Sequence, residues 1–263
     1  MAAPNESNVY IWYRSTASLD DEAAKSADRH LSIEERARRD QLRFGADRRD
    51  FTIAHDLLRR ALSRYVDMPP TDWRFSTNDY GKPFLESIDP QVRELSFSLS
   101  HTRGCVACAI TSKAPLGVDV ERIDQSQCVQ EIADRYFCKR EAGWLRQYSD
   151  DLRNIRFAEL WTLKEAFLKA VGVGLSGSLT NVSFRFREPA RIEFSGPSTI
   201  DPHEWHFALF EPVYNVRLGI VVRSVARPRF FMRQEEGDGR ALAPIRMSTP
   251  PPGHVLSKHL PHF

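Results

Sequence analysis

The stretch Pro115-Leu-Gly-Val-Asp-Val-Glu-Arg-Ile-Asp124 decides how the rest of the chain is read. Alternation along a strand puts Val118 and Val120 on one face, and Asp119 and Glu121 on the other. The two carboxylates then stand roughly 7 Å apart at Cα. Such a face is either a solvated edge or half of a metal site, and the strand alone does not choose. The valines place it in a core, so the question passes to the elements around it.

Outward from this strand the chain alternates helical and extended runs. VYIWY at 9–13 reads as a first strand. From Ser32 to Tyr65 the chain is helical in character and strongly basic. Ser32 with Glu35 forms a capping box, and Ile53, Leu57, Leu58 and Leu62 recur at helical spacing. RFSTNDYGKPFL is a strand with a turn at Tyr80-Gly81-Lys82-Pro83. LSFSLSH and CVACAIT are two further strands joined at His101-Thr102-Arg103-Gly104. Helices return at EIADRYFCKREAGWLRQY and RFAELWTLKEAFLKAVGVG, with Gly172 as a C-cap. Strands follow at VSFRF, RIEF, WHFALF and VRLGIVVRS. Each half runs through helix into antiparallel-looking strands, an α+β pattern. From Ala226 onward the chain lacks periodicity and is rich in Pro and Arg, as a disordered tail would be.

With 263 residues, 41% apolar and 27% charged, the chain can bury a substantial core. A formal charge of +2 gives no global reason to expect nucleic acid as a partner. No window approaches a membrane span, and the first residues lack the basic and apolar regions of a signal peptide, so a cytoplasmic, reduced setting is the expectation. Cys105 and Cys108 have CxxC spacing, but on a strand they point to opposite faces, which suits buried structural thiols better than a metal.

In WTLKEAFLKA, Trp161, Glu165 and Lys169 share one helical face. Read alone, Glu165 and Lys169 are a surface ion pair worth ~0.2–0.5 kcal/mol. Magnesium, however, takes one or two carboxylates together with water and substrate phosphate oxygens, so a third carboxylate facing Asp119 and Glu121 would suit phosphate chemistry. Ser100 and His101 end a strand that alternates Leu95, Phe97 and Leu99 with serines. Adjacent strand residues point apart, so they are no Ser–His nucleophile pair, and no nucleophile elbow is present. Lys82 in the YGKP turn offers a compact charge for a phosphate.

Taken in order, RFSTNDYGKPFL, FSLSHTRG, PLGVDVERID and LWTLKEAFLKAVGVGL resemble the 4′-phosphopantetheinyl transferase superfamily, in its Sfp-like, pseudo-dimeric branch. The likeness covers about residues 8–222. It implies two similar α/β subdomains with antiparallel sheets, related by a pseudo-two-fold axis, with the active site at their interface. The expected division is 1–114, 115–226 and a tail at 227–263. It implies transfer of the phosphopantetheine arm of coenzyme A to a serine of an apo acyl or peptidyl carrier protein, releasing 3′,5′-ADP. Asp119, Glu121 and Glu165 would hold Mg2+. Glu165 would be the base and Lys169 would meet the pyrophosphate. Gly81, Lys82, Pro83, Ser100, His101, Lys164 and Lys169 would bind coenzyme A. Asp50 stands where many relatives carry an arginine for the 3′-phosphate, so Arg49 or Arg48 is expected to substitute. The basic segment Arg36–Arg60 suits an acidic carrier, and a single chain with two halves is expected to act as a monomer. The alternatives are a catalytically inactive coenzyme A- and carrier-binding relative, and a metal-dependent phosphohydrolase.

Overall fold

A computed structural model describes residues 8–17, 19, 21–124, 128–172, 179–187 and 191–235. Strand β1 (Asn8–Ser15) is followed by helices α1 (Asp21–Asp28), α2 (Ile33–Asp40) and α3 (Gly45–Leu62). A small hairpin, β2 (Phe75–Thr77) and β3 (Pro83–Leu85), and a single turn, α4 (Pro90–Arg93), lead into β4 (Leu95–Thr102), β5 (Cys105–Ser112) and β6 (Leu116–Arg122). Then come α5 (Val129–Tyr136), α6 (Lys139–Leu145) and the long α7 (Asp150–Val171). The described chain closes with β7 (Ser183–Arg187), β8 (Arg191–Ser195), β9 (Trp205–Phe210), β10 (Val216–Arg223) and β11 (Arg229–Gln234).

The layers follow from which faces are apolar. One sheet has the order β11-β1-β5-β4 and a second β6-β10-β9. Between them Val9, Ile11, Ala107 and Ala109 meet Val118, Val120, Leu218 and Ile220. On the far side of the first sheet Ile53, Leu57, Leu58 and Leu62 of α3 pack on Trp12, Phe97 and Ile110. On the far side of the second, Leu160, Leu163 and Phe167 of α7 pack on Phe207 and Val221. The result is helix, sheet, sheet, helix, with each buried Leu, Ile or Phe contributing ~1.5–3 kcal/mol. This is the mixed α/β architecture with antiparallel sheets that the pattern predicts. Cys105 and Cys108 fall in different cores, as alternation requires.

Two sequence expectations change. The basic run predicted as one helix from Ser32 breaks at 41–44, where Phe44 is extended (φ −102°, ψ 142°) before α3 begins. The capping box is present, and Glu35 goes further than capping: it pairs with the buried Arg59 at 2.8 Å and with His55 at 2.8 Å. Burial opposes its charge. The His55 hydrogen bond and charge, the Ser32 N–H and Arg59 outweigh this and hold its carboxyl at about 2.

The segment from 227 is not structureless throughout. Arg229–Gln234 forms β11, parallel to β1, so the chain returns to the first half's sheet. Phe230 and Met232 face the central core, and Glu235 is buried against Arg60 at 2.7 Å and Arg64 at 3.0 Å. A period of two inside an Arg-rich stretch is the signal that composition hid. The remainder, 236–263, and the glycine-rich 173–178 lie outside the described residues.

The position of α7 depends on two glycines. A Cβ on Gly117 would lie 1.8 Å from the Ala166 carbonyl oxygen, and one on Gly219 would lie 2.8 Å from the Thr162 backbone. Glycine in the G-V-D-V-E stretch is therefore a packing requirement, letting the helix axis approach the strands. Gly117→Ala should destabilise the protein by ~3 kcal/mol through this clash, measured as a lower urea midpoint. An unchanged midpoint would show that α7 is not seated as described.

Candidate active site

α7 lies on β6 so that the helix face Trp161, Glu165, Lys169 opposes the strand face Asp119, Glu121. Trp161, Glu165 and Lys169 are each half-buried while the residues between them are buried, as i, i+4, i+8 spacing predicts. Asp119 is 5% exposed. Its Oδ1 accepts hydrogen bonds from Lys169 Nζ at 2.7 Å and from Ser100 Oγ at 2.8 Å. Lys169 Nζ also donates to Ser100 Oγ at 2.9 Å and to the Val118 carbonyl at 3.2 Å.

The other side of this cluster is short of donors. Asp119 Oδ2 and Glu165 Oε1 are both buried and accept no hydrogen bond. Such groups ordinarily find partners, and leaving one without costs ~1–3 kcal/mol or more when charged. Burial, then the Asp119 and Glu165 charges, push Glu121 up to about 8, against the pull of Lys169 and a hydrogen bond with Trp161. Burial and Asp119 raise Glu165 as well. Three hard-oxygen side chains with two open buried oxygens and a single lysine are a donor set that fits magnesium. Among the described residues no three metal-binding side chains are gathered closely enough to enclose an ion by themselves. Substrate oxygens and water would complete the shell, as magnesium usually takes it.

The turn Tyr80-Gly81-Lys82-Pro83 docks at the C-terminal end of α7. Lys82 Nζ donates to the Ala170 carbonyl at 3.0 Å and weakly to that of Leu116 at 3.5 Å. Burial draws its ammonium down to about 8. Asn78, which the sequence reading did not single out, organises this turn: its Oδ1 accepts from Tyr80 N at 3.0 Å and Lys82 N at 2.8 Å, and its Nδ2 donates to the Gly172 carbonyl at 3.0 Å. Gly172 caps α7 in the left-handed region, φ 82°. An asparagine two residues before a glycine turn was the signal available.

The remaining expected site residues do not all converge. His101 follows Ser100 but faces the other way, exposed at the end of β4. Desolvation by its surroundings lowers its pKa, with Lys169 and His55 adding to the effect and Asp50 and Asp47 opposing it. Arg49 lies on α3 beside a hollow of about 580 Å3 with Lys25, Arg39 and Arg48. Lys164 is corrected: the ammonium, 0% exposed, points to the opposite side of α7, onto Glu141 at 2.9 Å and the Leu179 carbonyl at 2.8 Å. The basic segment is also less available than its composition suggests. Arg36 and Arg39 pair with Asp28, Arg59 with Glu35, and Arg60 with Asp56 and Glu235.

Of two further cavities, one borders the carboxylates. A small one of about 230 Å3 abuts Glu121 and is walled by Val129, Ile132, Phe157 and Trp161. A larger one of about 800 Å3 lies between α2 and the β2–β3 hairpin, with Arg36, Arg38, Arg74, Phe75, Thr77 and Pro83 among its lining.

Comparison with known proteins agrees with this geometry. Residues 115–221 match the 4′-phosphopantetheinyl transferase superfamily, and residues 20–113 match the 4′-phosphopantetheinyl transferase N-terminal family. HetI of Nostoc sp. is 32% identical over 62% of this chain and 69% of its own length. Sfp of Bacillus subtilis is 34% identical over 56% of this chain and 62% of its own length. The transferase ffp of Bacillus subtilis is 32% identical over 78% of this chain and 88% of its own length. The chain belongs to the 4′-phosphopantetheinyl transferase superfamily. Within it, the chain is of the Sfp-like type.

The like charges have a measurable consequence. Glu121 has a folded pKa above its unfolded value of 4.5, so its contribution to stability is present below pH 4.5 and lost as the pH rises toward about 8. With divalent metal removed by a chelator, the wild type should lose stability relative to Glu121→Gln across that window, followed by urea midpoints. Parallel pH profiles would disprove the crowding of these carboxylates.

Proposed function

We propose that this site transfers the 4′-phosphopantetheine arm of coenzyme A to a serine of an apo acyl or peptidyl carrier protein. One observation carries the reading: buried, unpartnered oxygens on Asp119 and Glu165 stand with a third carboxylate, Glu121, whose proton affinity burial increases, and Lys169 and Ser100 are bound to Asp119. That donor set suits magnesium and a pyrophosphate better than it suits a folded core. Asp119, Glu121 and Glu165 would hold the ion, which supplies neutralisation of the charge developing on the transferred and leaving phosphates.

The chain's own groups divide the remaining work. Glu165, its proton affinity increased by burial and by Asp119, accepts the proton of the carrier serine. The serine oxygen bonds to the β-phosphorus, the bond to the bridging pyrophosphate oxygen breaks, and 3′,5′-ADP leaves. Lys169 is long enough, and sufficiently exposed, to exchange its Asp119 contact for a phosphate oxygen. Lys82, Gly81 and Pro83 line the approach for the nucleotide, with Ser100, His101 and Arg49 as further phosphate contacts. The two halves, each a long helix on antiparallel strands, are read as pseudo-two-fold counterparts, so the protein acts as a monomer on a separate carrier. Among the described residues no helix is long and apolar enough to cross a membrane.

The test is direct. Incubation with coenzyme A, Mg2+ and an apo carrier should add the mass of one phosphopantetheinyl group to the carrier serine. Asp119→Ala and Glu165→Gln should each lower the rate by at least about a hundredfold, the loss of several kcal/mol at the transition state, with unchanged circular dichroism. Intact coenzyme A bound without transfer would favour an inactive binder. Near-normal transfer by either variant would sink the assignment of the carboxylates.

A further inference from the structure

Lys164 is fully buried, yet it is a charged side chain next in sequence to the proposed base. Its ammonium is surrounded. It donates to the Leu179 carbonyl at 2.8 Å and the Val182 carbonyl at 2.5 Å, and pairs with Glu141 Oε2 at 2.9 Å. It also stands over the Phe137 ring, 5.1 Å from its centroid. Glu141 is itself fully engaged. Its Oε1 accepts from Phe184 N at 2.8 Å and its Oε2 from Cys138 N at 3.2 Å. One buried ion pair therefore ties α7 to α6, to the start of β7 and to the turn before it. The desolvation cost of such a pair is large, and hydrophobic residues of similar volume often do as well. Stability alone is a poor reason for it.

A second path leads from the same ammonium to the active site. Phe137, beneath Lys164, stacks on Phe157 at 5.3 Å between centroids and meets Trp161 at 6.1 Å. Phe157 and Trp161 stack at 5.6 Å. Trp161 stands beside Glu121 on the wall of the 230 Å3 cavity, which Phe157 also lines. The three rings form one continuous aromatic cluster between the ion pair and Glu121, one of the proposed magnesium ligands. We propose that Lys164 is a positioning residue for the transfer reaction: the Lys164–Glu141 pair fixes Phe137, and through Phe157 and Trp161 it sets the orientation of Glu121. Lys164 touches no substrate. Its effect is exerted on the side chain at the far end of the aromatic stack. The inference rests on the proposed function for its kinetic part and on the packing alone for its spectroscopic part.

Lys164→Met tests it, with Glu141→Gln/Lys164→Met as the partner variant, since glutamine keeps an acceptor for the backbone groups while leaving no buried unpaired charge. Both should fold as judged by circular dichroism and, if the single variant does not, the double carries the test. In either, kcat should fall at least tenfold, the Mg2+ concentration for half-maximal rate should rise at least fivefold, and KM for coenzyme A should stay within twofold. Trp161 emission, isolated in metal-free protein by subtracting the matching Trp161→Phe variants, should shift. A tenfold rise in KM for coenzyme A with unaltered Trp161 emission would mean that Lys164 contacts the nucleotide, and would overturn the proposal. So would wild-type kcat and an unshifted Trp161. If the wild type itself transfers nothing to apo carriers, the functional reading fails, and the Trp161 shift still decides whether Lys164 sets the stack.

Discussion

Three side-chain hydroxyls hold the two halves together. Ser98 Oγ, Ser100 Oγ and Thr102 Oγ1 on β4 accept hydrogen bonds from the backbone N–H groups of Val118, Val120 and Arg122 on β6, at 2.9, 3.3 and 3.3 Å. The two strands lie edge to edge without sharing a ladder, and alternate hydroxyls stand in for the missing carbonyls. A period of two on each strand makes the spacing match. The backbone donors of β6, which would otherwise be buried without acceptors, are thereby satisfied. Ser100 serves both purposes, because its own proton goes to Asp119. The seam and the functional site are one construction, and neither can shift without the other.

That coupling explains how the site tolerates its own repulsion. Asp119, Glu121 and Glu165 crowd their charges with Lys169 as the cation that acts on each of them. Free to move, the carboxylates would separate into solvent. They cannot, because Val118 and Val120 anchor one side of β6 in the central core, and α7 is drawn onto the other side over Gly117 and Gly219. The cost is spread over a large packed interface, where local unfavourable electrostatics at a functional site are usually absorbed. Ligand charge would then relieve a strain built in by packing.

How much of this was legible in the sequence depended on whether the controlling force was local. Val–Asp–Val–Glu alternation, the Trp161–Glu165–Lys169 face, the Ser32–Glu35 box and the Gly172 cap follow from periods and caps within a few residues, and all are present. What escaped was set at long range. β11 pairs with β1 across more than two hundred residues, and its Arg-rich setting resembled a tail. The arginines of 36–60 looked like a free basic surface, but Asp28, Glu35, Asp56 and Glu235, three of them buried, take up several of them. Gly219, like Gly117, admits the α7 backbone, yet sits in a run, VRLGIVVR, that reads as an ordinary strand.

The two lysines of the K-E-A-F-L-K segment make the same point within one helix. Sequence places both Lys164 and Lys169 near Glu165, and composition gives no reason to separate them. The structure separates them by what each ammonium faces. Lys164 has four partners that belong permanently to the fold: two carbonyls, a carboxylate and a ring. Lys169 is about a third exposed and is bound to groups that themselves have unused capacity, since Asp119 still has an open oxygen. A lysine whose partners are all satisfied fixes a shape. One whose partner is still short of charge compensation can exchange it, and under the proposed function that difference in partners, rather than the shared motif, separates the two lysines.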